Sequence, residues 1–128
     1  MIALIVASAR PALALAMLAS AVWSGPASAD GQRGGELFQA NCTKCHAPTN
    51  AAGTGPGLAG VFGRNAGEAP DFAYSRAMRR AGLVWDEANL AAYLADPATK
   101  VPGNKMPYSG LATQQDRADV IDYLKTLK

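Results

Sequence analysis

Histidine and cysteine are nearly absent from this chain, which has one His, His46, and two Cys, Cys42 and Cys45. That scarcity removes several chemistries at once. A structural zinc centre wants four protein ligands, and three Cys and His side chains are too few. A framework of several disulfides cannot be built from one pair. A metal held between two histidines of the same chain is excluded as well. No βαβ pattern of the kind that precedes a thioredoxin-like dithiol is found. Aromatic residues make up 7% of the sequence, and no convincing alternating run marks a strand. Internal repeats and low-complexity stretches are absent after the N-terminal segment. A basic stripe suited to nucleic acid is also missing.

Residues 1–29 are composed differently from the rest. Arg10 is their only charged side chain, an Ala/Leu-rich run extends from Pro11 to Trp23, and Ser24-Gly25-Pro26 breaks it. The run is too short to span a bilayer, and Arg10-Pro11 interrupts the apolar stretch before it. Ala27-Ser28-Ala29 is a small-x-small site of the type a signal peptidase cuts. The expectation is a signal peptide over 1–29 and a single domain over 30–128. An uncleaved leader acting as a membrane tether is the alternative. The opening Met-Ile-Ala-Leu is charge-poor for such a peptide. Without Arg10 the domain carries 11 basic and 10 acidic side chains, a net charge of +1. The 99 residues after Ala29 form a small domain with a thin core, so a buried prosthetic group would supply much of its apolar contact.

What the chain does contain is the cluster Cys42-Thr43-Lys44-Cys45-His46. Two cysteines separated by two residues and followed at once by histidine form the attachment signature of a c-type haem. Positions i, i+3 and i+4 share one face of a helical turn, so both thiols and the imidazole can meet one edge of a porphyrin. The thiols would add to its vinyl groups and the imidazole would reach the iron. A plain disulfide would leave the adjacent His46 unexplained. In an oxidising compartment a lone cysteine pair would otherwise close, so export and haem attachment support one another.

Haem iron takes a second axial ligand, and after the leader only Met78 and Met106 offer a thioether. Met78 sits at helical spacing in Ala77-Met78-Arg79-Arg80, where a core role is the default. Met106 lies in Val101-Pro102-Gly103-Asn104-Lys105-Met106-Pro107, whose prolines and glycine forbid a helix. That backbone can lie across a flat face and aim one side chain inward, so Met106 is the candidate second ligand.

The remaining pattern is helical with long loops. A helix is expected from Gln32 to His46, stopped by Ala47-Pro48. Thr49 to Gly67 reads as a loop following a surface. A short helix fits Tyr74 to Arg80, closed by Gly82. Asp86 caps a helix that ends at Asp96 because Pro97 follows. Thr99 to Gly110 is expected to be irregular. Thr113-Gln114-Gln115-Asp116 opens a last helix with Val120, Ile121, Leu124 and Leu127 on one face. The fold class is all-α, three main helices plus short ones, with loops long enough to wrap a cofactor.

The chain resembles the small, mitochondrial-like class I cytochrome c family over nearly all of residues 31–128. Gly55-Pro56-Gly57-Leu58-Ala59-Gly60-Val61-Phe62-Gly63-Arg64 looks like its proximal loop. Phe72-Ala73-Tyr74-Ser75 and Gly82-Leu83-Val84-Trp85 look like its lower haem loop. Tyr93-Leu94-Ala95-Asp96-Pro97 and Val101-Pro102-Gly103-Asn104-Lys105-Met106 look like its distal helix and methionine loop. The resemblance implies that the Pro56 carbonyl accepts the second imidazole N–H of His46. It implies that Tyr74 and Trp85 donate to a buried haem propionate with Arg64 nearby, and that Tyr93 lies near Met106. Gly34, Phe38 and Tyr123 resemble the contact between the first and last helices.

Departures from the family are specific. Met78 stands where relatives usually carry an asparagine, and Tyr108 where they carry a phenylalanine. The loop after His46 is about two residues shorter, judged against the family's usual Gly- and Pro-punctuated loop. The lysine ring around the exposed haem edge is largely missing: Glu36, Asn41, Gly53, Ala98, Ala112 and Thr113 fall near positions often basic, while Lys44 and Lys105 remain. Association with partners is therefore expected to depend little on ionic strength.

The resulting expectation is a monomeric periplasmic one-electron carrier with one covalent haem c. Cys42 and Cys45 would hold the porphyrin, and His46 and Met106 the iron. With both axial positions filled, no small-molecule substrate is expected and no enzyme activity. Expected partners are redox proteins such as membrane cytochrome complexes, oxidases, or periplasmic reductases and dehydrogenases. The alternatives are a dedicated electron-entry subunit of one periplasmic enzyme, or a haem ligand sensor or peroxidatic protein in which Met106 is loose or displaced.

Overall fold

A computed structural model describes residues 29–128 of the chain. The leader expected over 1–29 lies, up to residue 28, outside the described residues. Five helices follow in order: α1 (Ala29–Asn41), α2 (Arg76–Arg79), α3 (Glu87–Ala95), α4 (Pro97–Lys100) and α5 (Gln114–Thr126). Among the described residues the only extended pairing is an isolated antiparallel bridge between Asn65 and Val84. The mostly helical architecture agrees with the expected fold class.

Side-chain caps set the helix starts. Ser75 accepts from the Met78 amide, Asp86 from Asn89, Asp96 from Thr99 and Thr113 from Asp116. Each takes up one of the amides that a first helical turn leaves without a partner. Apart from small shifts, α1 starting at Ala29 rather than Gln32 and α2 spanning Arg76–Arg79 rather than Tyr74–Arg80, two features differ from the sequence expectation. The first helix ends at Asn41 rather than at His46. Asn41 and Thr43 turn their side chains back onto the Leu37 and Gln39 carbonyls, both at 2.8 Å, which interrupts the regular ladder. The second difference is α4, which occupies part of the stretch expected to be irregular. Pro97 ends α3 but also starts α4, since a proline at the first helical position needs no N–H partner.

α1 and α5 cross at the centre of the fold. Phe38 packs on Tyr123 with ring centroids 5.1 Å apart, and Phe38, Val120, Ile121 and Leu124 are buried. The crossing is close because Gly34 has no side chain: a Cβ there would stand 2.7 Å from the Asp119 carbonyl carbon. At the same junction Arg33 pairs with both Asp116 and Asp119, and Asp119 is only 2% exposed. Gln115 satisfies the other Asp119 oxygen at 2.8 Å.

Gly34→Ala is expected to lower stability by about 3 kcal/mol, because backbone carbonyls cannot yield as a flexible side chain can. Gly35→Ala, whose Cβ would meet the Tyr123 ring at an ordinary 3.4 Å, is expected to be nearly neutral. Guanidinium denaturation of the two variants separates helix propensity from the crossing. The Asp116 carboxyl is held below its usual range, first by the Thr113 hydroxyl and then by Arg33. A depressed folded-state value contributes stability above the unfolded value, which is lost as pH falls through the folded one.

Candidate functional site

The first turn after α1 carries the Cys42–His46 cluster. The Cys42 carbonyl accepts from both the Cys45 and His46 amides, at 3.1 and 2.9 Å, and holds the three side chains on one side. They open onto a cavity of about 560 Å³, within the roughly 300–1,000 Å³ of cofactor pockets. All nine residues singled out from the sequence line it: Cys42, Cys45, His46, Pro56, Arg64, Tyr74, Trp85, Tyr93 and Met106. They come from three segments between helices, 42–75, 80–86 and 101–113, and from α3. A second groove, of about 390 Å³ between α3 and α5, contains none of them.

His46 Nδ1 lies 2.8 Å from the Pro56 carbonyl oxygen. A carbonyl can only accept, so Nδ1 carries the proton and Nε2 keeps its lone pair. The approach needs Gly55, where a Cβ would stand 2.6 Å from His46 Cε1. Both cysteines are free thiols. Burial, with a smaller contribution from Cys45, pushes the Cys42 thiol up to about 11, so it is protonated at neutral pH.

The floor of the cavity is formed by Arg64, Tyr74 and Trp85. Arg64 donates to the Ala59 carbonyl at 3.0 Å and to Gly57 at 3.3 Å, but its buried Nε has no partner among the described residues. Tyr74 accepts from the Ala69 amide at 3.3 Å and keeps its own hydroxyl proton free. A cationic group with an unused buried donor beside a free phenol suits an anion.

On the opposite wall, Asn104 organises the loop of Met106. Its Nδ2 donates to the Pro97 and Val101 carbonyls at 2.9 and 3.0 Å. Its Oδ1 receives the Met106 amide at 2.7 Å and the Tyr93 hydroxyl at 3.3 Å. Burial, then the neighbouring Tyr74, pushes Tyr93 up to about 12, which keeps it a neutral donor. Tyr93 also packs on Trp85 at 4.9 Å between ring centroids. Lys105 ties the loop to the lower one through the Ala73 carbonyl at 2.9 Å. Met78 and Tyr108 line the cavity too.

Sequence reasoning gave no role to Gly55 or Asn104. A signal for Asn104 existed: prolines at 102 and 107 remove amide donors, and an asparagine between them can satisfy loop carbonyls in their place. Asn104→Ala is expected to loosen the Met106 loop and raise its amide exchange at least tenfold, with α1 and α5 protection unchanged, measured by hydrogen exchange.

The cytochrome c family model matches residues 31–128, the whole of the domain that carries this cavity. The chain belongs to the cytochrome c family. A cytochrome c2 of Rhodomicrobium vannielii is 47% identical over 120 residues, covering 90% of this chain and 95% of that protein. A cytochrome c of Euglena viridis is 42% identical over 100 residues, covering 77% of this chain and 98% of that one. Among solved structures, cytochrome cH from Methylobacterium extorquens superposes with a TM-score of 0.73 at 44% identity, covering 76% of this chain and 98% of that chain. The fold is that of the class I cytochromes c. As a member of the family this cytochrome c binds covalent haem c and serves as an electron carrier rather than an enzyme. The cavity fits that group, with paired thiols, an imidazole with a free lone pair, and an unused buried arginine donor for the propionates.

Proposed function

We propose that this cytochrome c is a periplasmic one-electron carrier. In it Cys42 and Cys45 hold the porphyrin as thioethers, while His46 and Met106 hold the iron. The observation that carries the reading is the convergence of the His46 imidazole and the Met106 thioether on one cavity, with His46 Nδ1 tied to Pro56. When bound, the haem supplies a single Fe(III)/Fe(II) couple. The chain supplies the rest. Pro56 fixes the imidazole tautomer, so the Nε2 lone pair is left for the iron. Asn104 sets the backbone of the Met106 loop, and the thioether, a soft donor, favours the ferrous state and raises the potential. Arg64 and Tyr74 offset the desolvation of propionate charge. The largely apolar walls limit water, which limits reorganisation when the charge changes by one.

The Rhodomicrobium vannielii protein shares part of the N-terminal segment read as a leader. The match covers 90% of the chain, more than the 99 of 128 residues that follow Ala29, so it reaches into the leader. Mass spectrometry of the purified protein is expected to find Asp30 at the N-terminus, with one haem added. An intact leader would point to a membrane-tethered carrier instead.

The absorption spectrum of the oxidised protein tests the ligand set. A low-spin spectrum with the weak far-red band of a sulfur–iron(III) bond is the expected result. A high-spin spectrum without that band would favour a ligand-sensing or peroxidatic haem protein.

A further inference from the structure

We propose that Asn104 lowers the reduction potential by drawing the Tyr93 hydroxyl proton away from the Met106 sulfur. The inference rests on the His46/Met106 ligand set and gives Asn104 a task beyond holding the loop.

A phenol has one proton to donate, and a thioether is only a weak acceptor for it. Tyr93 gives its proton to Asn104 Oδ1, at 3.3 Å. The same oxygen accepts the Met106 amide at 2.7 Å. The phenol and the base of the Met106 side chain therefore meet at one atom, and both residues line the haem cavity. With Oδ1 withdrawn, the Met106 sulfur is the acceptor left on that wall.

Neither member of the pair is free to turn away. Asn104 Nδ2 donates to the Pro97 and Val101 carbonyls, and the Asn104 amide nitrogen donates to Val101 at 3.1 Å. Pro97, at the start of α4, and Val101 are both buried. Reversing the side-chain amide would set Nδ2 against the Met106 N–H and Oδ1 against two carbonyls, so one orientation alone satisfies the site. Tyr93 is buried on α3, and its ring is confined by Trp85. At 3.3 Å its bond is longer than the usual O–H···O contact, so it holds by about 1 kcal/mol or less. Removing the acceptor thus redirects the hydroxyl at little cost in stability.

The sign follows from donor strength. A hydrogen bond to the sulfur withdraws electron density from the lone pairs that serve the iron, which disfavours Fe(III) and raises the potential. Keeping the phenol on Asn104 leaves the sulfur its full donor strength and holds the potential lower. Met78, the other thioether lining the cavity, has no proton to offer in the phenol's place.

The test is a two-residue cycle on the holoprotein, read as equilibrium with the hexacyanoferrate couple. Asn104→Ser keeps a hydroxyl able to accept the amide two residues on, but it is one bond shorter and withdraws the acceptor from Tyr93. This variant is expected to shift the equilibrium about fivefold toward the ferrous protein, about 40 mV at 59 mV per tenfold. Tyr93→Phe alone should stay within about twofold of the wild type, and adding Asn104→Ser to it should again change little. Equal Asn104→Ser shifts in both backgrounds would overturn the proposal, because a loosened loop needs no hydroxyl to act. So would a fivefold or larger shift toward ferric protein in Tyr93→Phe alone, which would put the hydroxyl on the sulfur already. That arm leaves Asn104 untouched, so it decides the matter even where Asn104→Ser does not fold. The far-red band is read in every protein of the cycle. Its absence from the wild type would overturn the ligand set, and the inference with it, which keeps the two failures distinct.

Discussion

A Cys42→Ser/Cys45→Ser chain, unable to hold haem covalently, is expected to be largely unfolded at 25 °C. The cavity of about 560 Å³ is the reason. An empty apolar cavity costs about 24 cal/mol per Å³, which gives a ceiling near 13 kcal/mol for leaving this one unfilled. A domain of this size has about 5–15 kcal/mol in total, so even half of that ceiling removes most of the folded population. Collapse of the walls cannot relieve it cheaply, because the lining comes from loops separated along the chain. Direct ties between them, such as the Gly63 and Ala66 amides on the Trp85 and Leu83 carbonyls and Lys105 on Ala73, hold their edges, while their inner faces border the space the porphyrin would fill. Outside it, the main helix contacts are the α1–α5 crossing and the packing of α3 on α5. α1 and α5 have 13 residues each, a length at which isolated helices are marginal in water. Far-UV circular dichroism of the double variant should show about a third or less of the holoprotein's helical signal, and no cooperative melt. A native-like spectrum with a cooperative transition would mean that the α1–α5 crossing alone carries the fold.

The same dependence explains what could be read from the sequence. The haem cluster was legible because its chemistry fixes its spacing: Cys42, Cys45 and His46 must share one turn. The helix starts were legible because Asp86 and Thr113 are side chains with one good use before an apolar-periodic run. The end of α1 was not, since nothing in propensity says that Asn41 and Thr43 will bond backward to Leu37 and Gln39 rather than continue. α4 was hidden because Pro97 reads as a stop, and only the fold shows it serving as a start. Gly55 and Asn104 escaped for a different reason. Their importance lies in what stands against them in space, a histidine ring in one case and three loop groups plus a tyrosine in the other. Charge was the least legible of all. A net value near zero says nothing about which carboxylates are already paired: Arg33 answers both Asp116 and Asp119, and Lys125 both Glu87 and Asp122.

Met106→Leu is expected to lower the reduction potential on the order of 0.1 V or more and to let the reduced protein bind carbon monoxide. Leucine nearly conserves the volume of methionine, so the change should cost less than about 1.5 kcal/mol of folding stability. What it removes is the sulfur. Axial ligands span about 0.8 V across haem proteins, and exchanging a soft thioether for water or nothing moves toward the low end. At 59 mV for a tenfold change in a one-electron equilibrium, a drop of about 0.1 V corresponds to a preference for ferrous iron weakened some fiftyfold. The open position then admits a diatomic ligand that the wild type excludes at neutral pH. His46 is untouched in this variant, and its Nδ1 bond to Pro56 keeps the other axial side intact. Loss of the far-red band with gain of carbon monoxide binding would assign the second ligand to Met106. Retention of the band would shift the assignment to Met78, the one other thioether lining the cavity. In that case Met78→Leu, and not Met106→Leu, would abolish it. The two variants read together therefore decide which sulfur the iron holds, whichever way the first result falls.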